Sequence, residues 1–351
     1  LDRQPHVVWK AGPFGVGTYD ASKSTPAVSE DRVYVGEDDG LLRALDRKTG
    51  QVVWSFATRR HFQELSRSDS LFTGIHGSPA FDEHNVYIGD YAGWLYAVDR
   101  ADGHLVWERL LGGSIGSSPV LAGKRLFIAV EFPEPDGKVF ALQAADGQIL
   151  ASSAFLGDHV HATVSLDEAR NTLVVGTNAG VLVSLSPSDL GLRWTLTFEG
   201  AIKSTAAVVD DTVMVTAWDG NLQAVALTTG EPRFQIQTQD RSMSSPAAWD
   251  GIVAFGSHDK SLTLAEAATG RVTSRYFTKG AISSSPVVIR ASGLAVVGST
   301  DGTLYALALP DGSLLWQFPL GTSITSVPVA VDHSLFINDD RGTLWRLDSP
   351  E

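Results

Sequence analysis

A unit of about 40 residues recurs along the chain, and no other feature narrows the possible folds so far. It is clearest from Ser284 to Thr325, SSPVVIRASGLAVVGSTDGTLYALALPDGSLLWQFPLGTSIT. SSPVV and LAVVG are β-branched runs of strand length, TLYALAL alternates large and small residues, and LLWQF follows the turn Pro310-Asp311-Gly312. The unit therefore reads as four short antiparallel strands, and no stretch of the chain reads as a helix.

Seven such units begin at Ser24-Thr25-Pro26, Gly77-Ser78-Pro79, Ser117-Ser118-Pro119, Ala162-Thr163, Ser204-Thr205, Ser244-Ser245-Pro246 and Ser284-Ser285-Pro286. An eighth begins at Ser326-Val327-Pro328 and ends after three strands, at Leu347-Asp348. The missing fourth strand is found at the other end of the chain, where His6-Val7-Val8-Trp9-Lys10 matches Val52-Val53-Trp54 and Leu314-Leu315-Trp316. A ring closed by both ends of the chain leaves no sheet edge open to aggregation. The expected fold is all-β: one domain over residues 1–351, an eight-bladed β-propeller of four-stranded antiparallel blades, with the N-terminal strand completing the last blade.

Each unit carries a turn and a docking residue. Ala44-Leu45-Asp46-Arg47-Lys48-Thr49-Gly50 precedes Trp54, and Ala97-Val98-Asp99-Arg100-Ala101-Asp102-Gly103 precedes Trp107. The Gly supplies positive φ, and the Asp accepts backbone hydrogen bonds across the turn. The Trp is expected to dock on the next blade, as are Trp194 and Trp316. Blades three, five and six place Ala151, Phe234 and Ser274 there, so those seams must lean on other contacts.

Repeats of the form SSPxx…VYVGxxDGxLYALDxxTGxxxW resemble the pyrroloquinoline-quinone (PQQ)-type β-propeller family over nearly the whole chain. That family includes quinoprotein dehydrogenases, the lipoprotein subunit of the outer-membrane assembly machine and sensor ectodomains of bacterial kinases. The resemblance is specific for fold and weak for function, because its Gly, Asp and Trp positions serve turns and packing.

Composition removes several classes of function. A formal charge of −13 disfavours nucleic acid and anionic lipid as partners. With no cysteine there is no disulfide, thiolate metal site or cysteine nucleophile. No apolar run is long enough to span a membrane, and no signal peptide is visible. The chain begins at Leu1, so a leader or anchor is expected to have been removed from a periplasmic or extracellular protein.

In a four-stranded blade with strands A to D, the B–C and D–A connections share one face of the ring. The longest departures from the repeat, Arg59 to Ile75 and Glu131 to Asp136, both fall there, which makes it the expected face for a protein partner or a small anionic ligand. Residues just before strand A include Lys23, His76, His161 and Lys203, and residues just after strand B include Glu37, Asp90 and Asp339. Together with Trp218, a B–C loop aromatic able to stack on a planar ligand, they are the candidate ligand-binding residues of the channel mouth. Solvated rim charges are the alternative reading.

Other motifs carry less. Gly112-Gly113-Ser114-Ile115-Gly116 matches a nucleophile-elbow pattern but occupies an inter-blade turn instead of a strand-to-helix turn. His159 and His161 would face the same way on a strand and could share a metal with His76, but spacing supplies no further ligand and no metal is assigned. No catalytic residues are assigned either. The expected function is a non-enzymatic ligand- or protein-binding scaffold of the bacterial cell envelope, similar to outer-membrane assembly propellers, with no cofactor. A PQQ-dependent dehydrogenase using calcium, or the sensor ectodomain of a membrane receptor kinase, are the alternatives.

Overall fold

The computed structural model describes residues 1–15, 24–59 and 74–350. It contains eight four-stranded antiparallel sheets. Blade one is Ala27–Val28, Arg32–Gly36, Leu41–Asp46 and Val52–Ala57, and the same order of strands recurs through blade seven, which ends with Leu314–Pro319. Blade eight joins Val329–Val331, Ser334–Asn338 and Leu344–Asp348 to the N-terminal strand His6–Ala11, which pairs antiparallel with Leu344–Asp348. The expected eight-bladed ring with a shared last blade is therefore the observed one. Among the described residues no helix is long and apolar enough to cross a membrane.

Strand A of each blade lies innermost, and Ala27–Val28 of blade one sits beside Val329–Val331 of blade eight, closing the ring. The Ser/Thr-Pro starts build this inner wall. Thr25 N–H donates to Ser78 Oγ, Ser78 N–H to Ser118 Oγ, and Ser118 N–H to Thr163 Oγ1, at 2.9 to 3.1 Å. The pattern resumes from Thr205 to Ser245 and from Ser245 to Ser285, and Val327 N–H returns to Thr25 Oγ1 at 3.3 Å. The hydroxyl just before it works within the blade: Ser117 and Ser204 bridge to the end of their own strand B, at Ala129 and Thr216.

Strands B and C are covered on both faces by neighbouring blades, which explains why runs such as Thr172–Gly176 and Leu294–Gly298 are continuously buried. The core is a set of inter-blade layers. One joins Tyr34 and Leu42 of blade one to Ile88 and Tyr96 of blade two, and the closing layer joins Phe336 and Leu344 to Val33 and Leu45. Strand D is half exposed, and a bulge opposite the end of strand C, as between Ala44 and Leu45, leaves Val52 and Val53 in solvent and turns Trp54 inward.

Trp9, Trp54, Trp107 and Trp194 each lie against the turn glycine of the next blade. A Cβ on Gly103, where φ is +82°, would come within 2.7 Å of the Trp54 ring, and Trp54 Nε1 donates to Arg100 O at 3.1 Å. Trp9, Trp107 and Trp194 make the equivalent bonds to Arg47, Ala144 and Leu227. Where the Trp is missing, its space is filled from elsewhere. Opposite Ala151, Leu190 occupies the turn-glycine position with φ +58° and packs into the layer containing Ala141. Opposite Ser274, Leu264 stands where other blades have Ala44 or Ala306.

Candidate functional site

The loop face is organised by a contact that recurs around the mouth: the residue before strand A meets the second residue after a strand B. His76 Nε2 is 3.4 Å from Asp38 Oδ1, and its ring packs on Tyr91 with centroids 4.2 Å apart. A Cβ on Gly116 would reach the Tyr91 ring at 3.2 Å. Ser283 Oγ lies 2.9 Å from His258 Nε2, and Thr325 donates from N and Oγ1 to Asp340 Oδ1 at 3.0 and 2.7 Å. Lys203 Nζ sits 4.3 Å above the Trp218 ring.

Strand side chains alternate faces, so one position decides whether a residue reaches the mouth or turns back into its blade. Glu37, Asp90 and Asp339 occupy the first position after strand B and turn inward. Asp90 Oδ1 accepts from the N–H of Ala92 and Trp94, and Oδ2 from Tyr96 Oη at 2.8 Å. Asp339 accepts from the N–H of Arg341 and Thr343 and from Trp345 Nε1, all at 3.0 Å. The Asp90 and Asp339 carboxylates hold hairpin turns, as Thr177 does through Val181 N–H in blade four. Sequence reasoning missed the residues one step on, Asp38, Tyr91, His258 and Asp340; the period of two was the signal that could have found them.

Glu37 is fully buried where blade one meets blade eight. Burial pushes its carboxyl up to about 8, against the opposing pull of Arg43 and the nearby side chain of Asn338 in blade eight. Burial also raises Asp340, and burial followed by the charge of Arg241 lowers His258.

Of the four expected cations, Lys23 lies outside the described residues, as does most of the Arg59 to Ile75 insertion. His76, His161 and Lys203 each sit against a partner of their own: Asp38, Glu131 and Trp218. His161 Nδ1 is 2.8 Å from Glu131 Oε1. Glu131 belongs to a longer hairpin than the expected loop: Arg125–Phe132 pairs with Asp136–Gln143, so Glu131 faces Gly137 and Phe132 faces Asp136. His159 and His161 lie in the irregular D–A connection, not on a strand, with ring planes 85° apart. The acid beside them is Glu131.

Trp218 anchors an aromatic and cationic cluster on this face. Its ring, about one-third exposed, has Lys203 at 4.3 Å and Arg241 at 5.2 Å, both within cation–π range. Trp218, Arg241 and Arg275 line an open groove of about 760 Å³ together with Asp219 and Asp240. A groove with an aromatic side and charges of both signs suits a polar segment that carries charges of both signs itself.

A calcium-bound quinone at the mouth would need several uncommitted hard oxygen donors. Asp90 and Asp339 have committed theirs to turns and to Tyr96 and Trp345, and Glu37 keeps its proton at neutral pH. This donor set does not fit that group.

The whole ring has known relatives. The family model for outer membrane protein assembly factor BamB matches residues 6–71, 61–150 and 135–349. The BamB proteins of Yersinia pestis and Escherichia coli K12 are each 25% identical, over 97% and 98% of this chain and 88% of their own length. In structure the chain is similar to BamB from Moraxella catarrhalis, with a TM-score of 0.77 at 18% identity and coverage of 99% and 98% of the two chains. It is also similar to the quinohemoprotein alcohol dehydrogenase of Comamonas testosteroni, with a TM-score of 0.78 at 14% identity, covering 98% of this chain and 76% of that one. The second likeness is one of fold alone, whereas the family model spans all eight blades: the chain belongs to the PQQ-like propeller family of the outer membrane protein assembly factor BamB.

Proposed function

We propose that this chain is a non-enzymatic scaffold of the bacterial cell envelope that works on the periplasmic side of the outer membrane and holds protein partners during outer-membrane protein assembly. The observation that carries this reading is the extent of the family match, which runs from the N-terminal strand to the end of blade eight and is shared by relatives named for that role. The loop face supplies docking chemistry. Trp218 beside Lys203 and Arg241 gives a partner one aromatic anchor and two charges, and Trp and Arg are among the residue types that dominate binding energy at protein interfaces.

The test is co-purification from envelope extracts of cells expressing the parent or an Arg241→Glu/Trp218→Ala variant. Outer-membrane assembly proteins should be recovered with the parent and lost with the variant. Recovery of none with the parent, beyond what an unrelated propeller brings down, would overturn the reading. The dehydrogenase alternative gets an independent check: a change in quinone absorbance on titration with PQQ and calcium at micromolar concentration would revive it.

A further inference from the structure

We propose that Glu131, His159 and His161 form a binding site for one divalent cation of the zinc class at the seam between blades three and four. One ligand atom from each residue lies within 4.8 Å of those of the other two. Zinc holds nitrogen and oxygen ligands at about 2.0–2.2 Å, so its tetrahedral ligands stand roughly 3.4 Å apart, and small side-chain adjustments bring these three to that spacing. Two imidazoles and one carboxylate select zinc, cobalt or nickel over calcium and magnesium, which prefer oxygen alone.

The surroundings prepare these side chains as ligands. His159 Nε2 lies 2.9 Å from the Phe132 carbonyl oxygen. A carbonyl can only accept, so Nε2 carries a proton and in the neutral ring Nδ1 has the lone pair, the arrangement in which metal-bound imidazoles are held by a backbone carbonyl behind them. Glu131 forms the floor, its side chain 8% exposed, and His161 the rim, at 28%. A cation between them replaces the proton in the 2.8 Å contact of Glu131 Oε1 with His161 Nδ1. Gly116 keeps the approach open, because a Cβ there would come within 2.9 Å of Glu131 Oε1.

The location gives the site a mechanical role. Glu131 stands on the long hairpin of blade three, and both histidines on the connection into strand A of blade four. A bound cation therefore ties two segments together across the seam where Ala151 replaces the docking tryptophan. This inference is independent of any role in outer-membrane assembly.

Tag-free protein stripped with chelator is titrated with Zn²⁺ by calorimetry and followed by thermal melting. The expected result is one equivalent bound, with melting raised by zinc but not by magnesium or calcium. His159→Gln and His161→Gln should each weaken binding by about tenfold or more. His104→Gln, in the exposed Asp99, Asp102 and His104 group, should leave it unchanged. No uptake at micromolar zinc, uptake unaltered by both glutamine variants, or uptake lost with His104→Gln would overturn the site. Should the glutamine variants fail to fold, anomalous scattering from a zinc-soaked crystal of the parent decides. A peak among Glu131, His159 and His161 supports the proposal, and its absence there overturns it.

Discussion

Trp316 Nε1 donates a 2.9 Å hydrogen bond to the carbonyl oxygen of Leu1, 315 positions away in sequence. In other seams the same indole bond goes to the first residue of a C–D turn, as from Trp54 to Arg100. Blade eight has no C–D turn, since its last strand comes from the start of the chain, and Leu1 supplies the missing carbonyl. Leu1 is also buried in the layer shared by Trp316, Leu335 and Leu347. The N-terminal segment thus closes the ring twice, by pairing with Leu344–Asp348 and by completing the seam beneath Trp316.

Deleting residues 1–11 should therefore remove both closures together with the Trp9 contact on Gly50. Trp316→Ala alone should cost about 3–5 kcal/mol, as the loss of a buried Trp usually does, and the deletion should cost more. Urea unfolding followed by circular dichroism measures both. A truncated protein with the parent's midpoint would show that the ring does not depend on this strand.

The inner hydroxyl ladder has a gap that can be filled. Ser245 N–H finds Ser285 Oγ in the next blade, but after Ser285 the next blade offers Val327, which has no hydroxyl. Val327→Thr keeps the β-branched shape and supplies an acceptor. One added neutral hydrogen bond should stabilise the fold by about 0.5–1.5 kcal/mol. A lower melting temperature would mean that the new hydroxyl is left unpaired and that the ladder does not extend to this position.

Glu37 predicts a pH dependence of defined sign. Its carboxyl titrates near 4.5 in the unfolded chain and is raised by burial to about 8 in the fold. Below pH 4.5 both states are protonated and the stability it contributes is complete. Between 4.5 and 8 only the unfolded state gives up the proton, so stability declines by up to about 1.4 kcal/mol per pH unit, levelling off above 8. Glu37→Gln is neutral throughout, so the variant should match the parent near pH 4.5 and exceed it at pH 8. The difference between the two unfolding profiles isolates this group from the lowered carboxyls of Asp82, Asp301 and Asp348, whose contributions fall away at lower pH. Parallel profiles would place Glu37 in an ionised state within the fold.

What could be read in advance follows from the range of the forces involved. Asp46 with Gly50 and Asp99 with Gly103 are local turn chemistry, and their hydrogen bonds run within four residues, so the repeat and its docking tryptophans were legible. The N-terminal strand was legible because Trp9 keeps the spacing of Trp54 and Trp316. The mouth was less so. Glu37 and Asp38 are adjacent in sequence yet turn to different surroundings, and a pattern that marks where a strand ends does not say which of two neighbours continues outward. The pairing of Glu131 with His161 depends on a hairpin whose length, in a run with Pro133 and Pro135, looked like a loop.

The seam between blades three and four tests whether the docking unit is interchangeable. In four other seams a turn glycine with positive φ lies under a Trp; here Leu190 takes the glycine's place at φ +58° and Ala151 the tryptophan's. Leu190 is buried in the layer that contains Ala141, the strand C partner of Ala151. Leu190→Gly relieves a left-handed non-glycine residue, worth about 1–2 kcal/mol, but empties a buried site at a cost of about 2–5 kcal/mol, and should destabilise on balance. Ala151→Trp alone should also destabilise, by about 1–3 kcal/mol, because Leu190 already holds the space. Together they rebuild the pairing of Trp54 with Gly103, and the double variant should be more stable than the sum of the single losses by at least about 1 kcal/mol, within the range of directly contacting pairs. Four urea unfolding curves complete the cycle. Additive losses would mean that Leu190 and Ala151 do not share one volume and that this seam is held by other contacts.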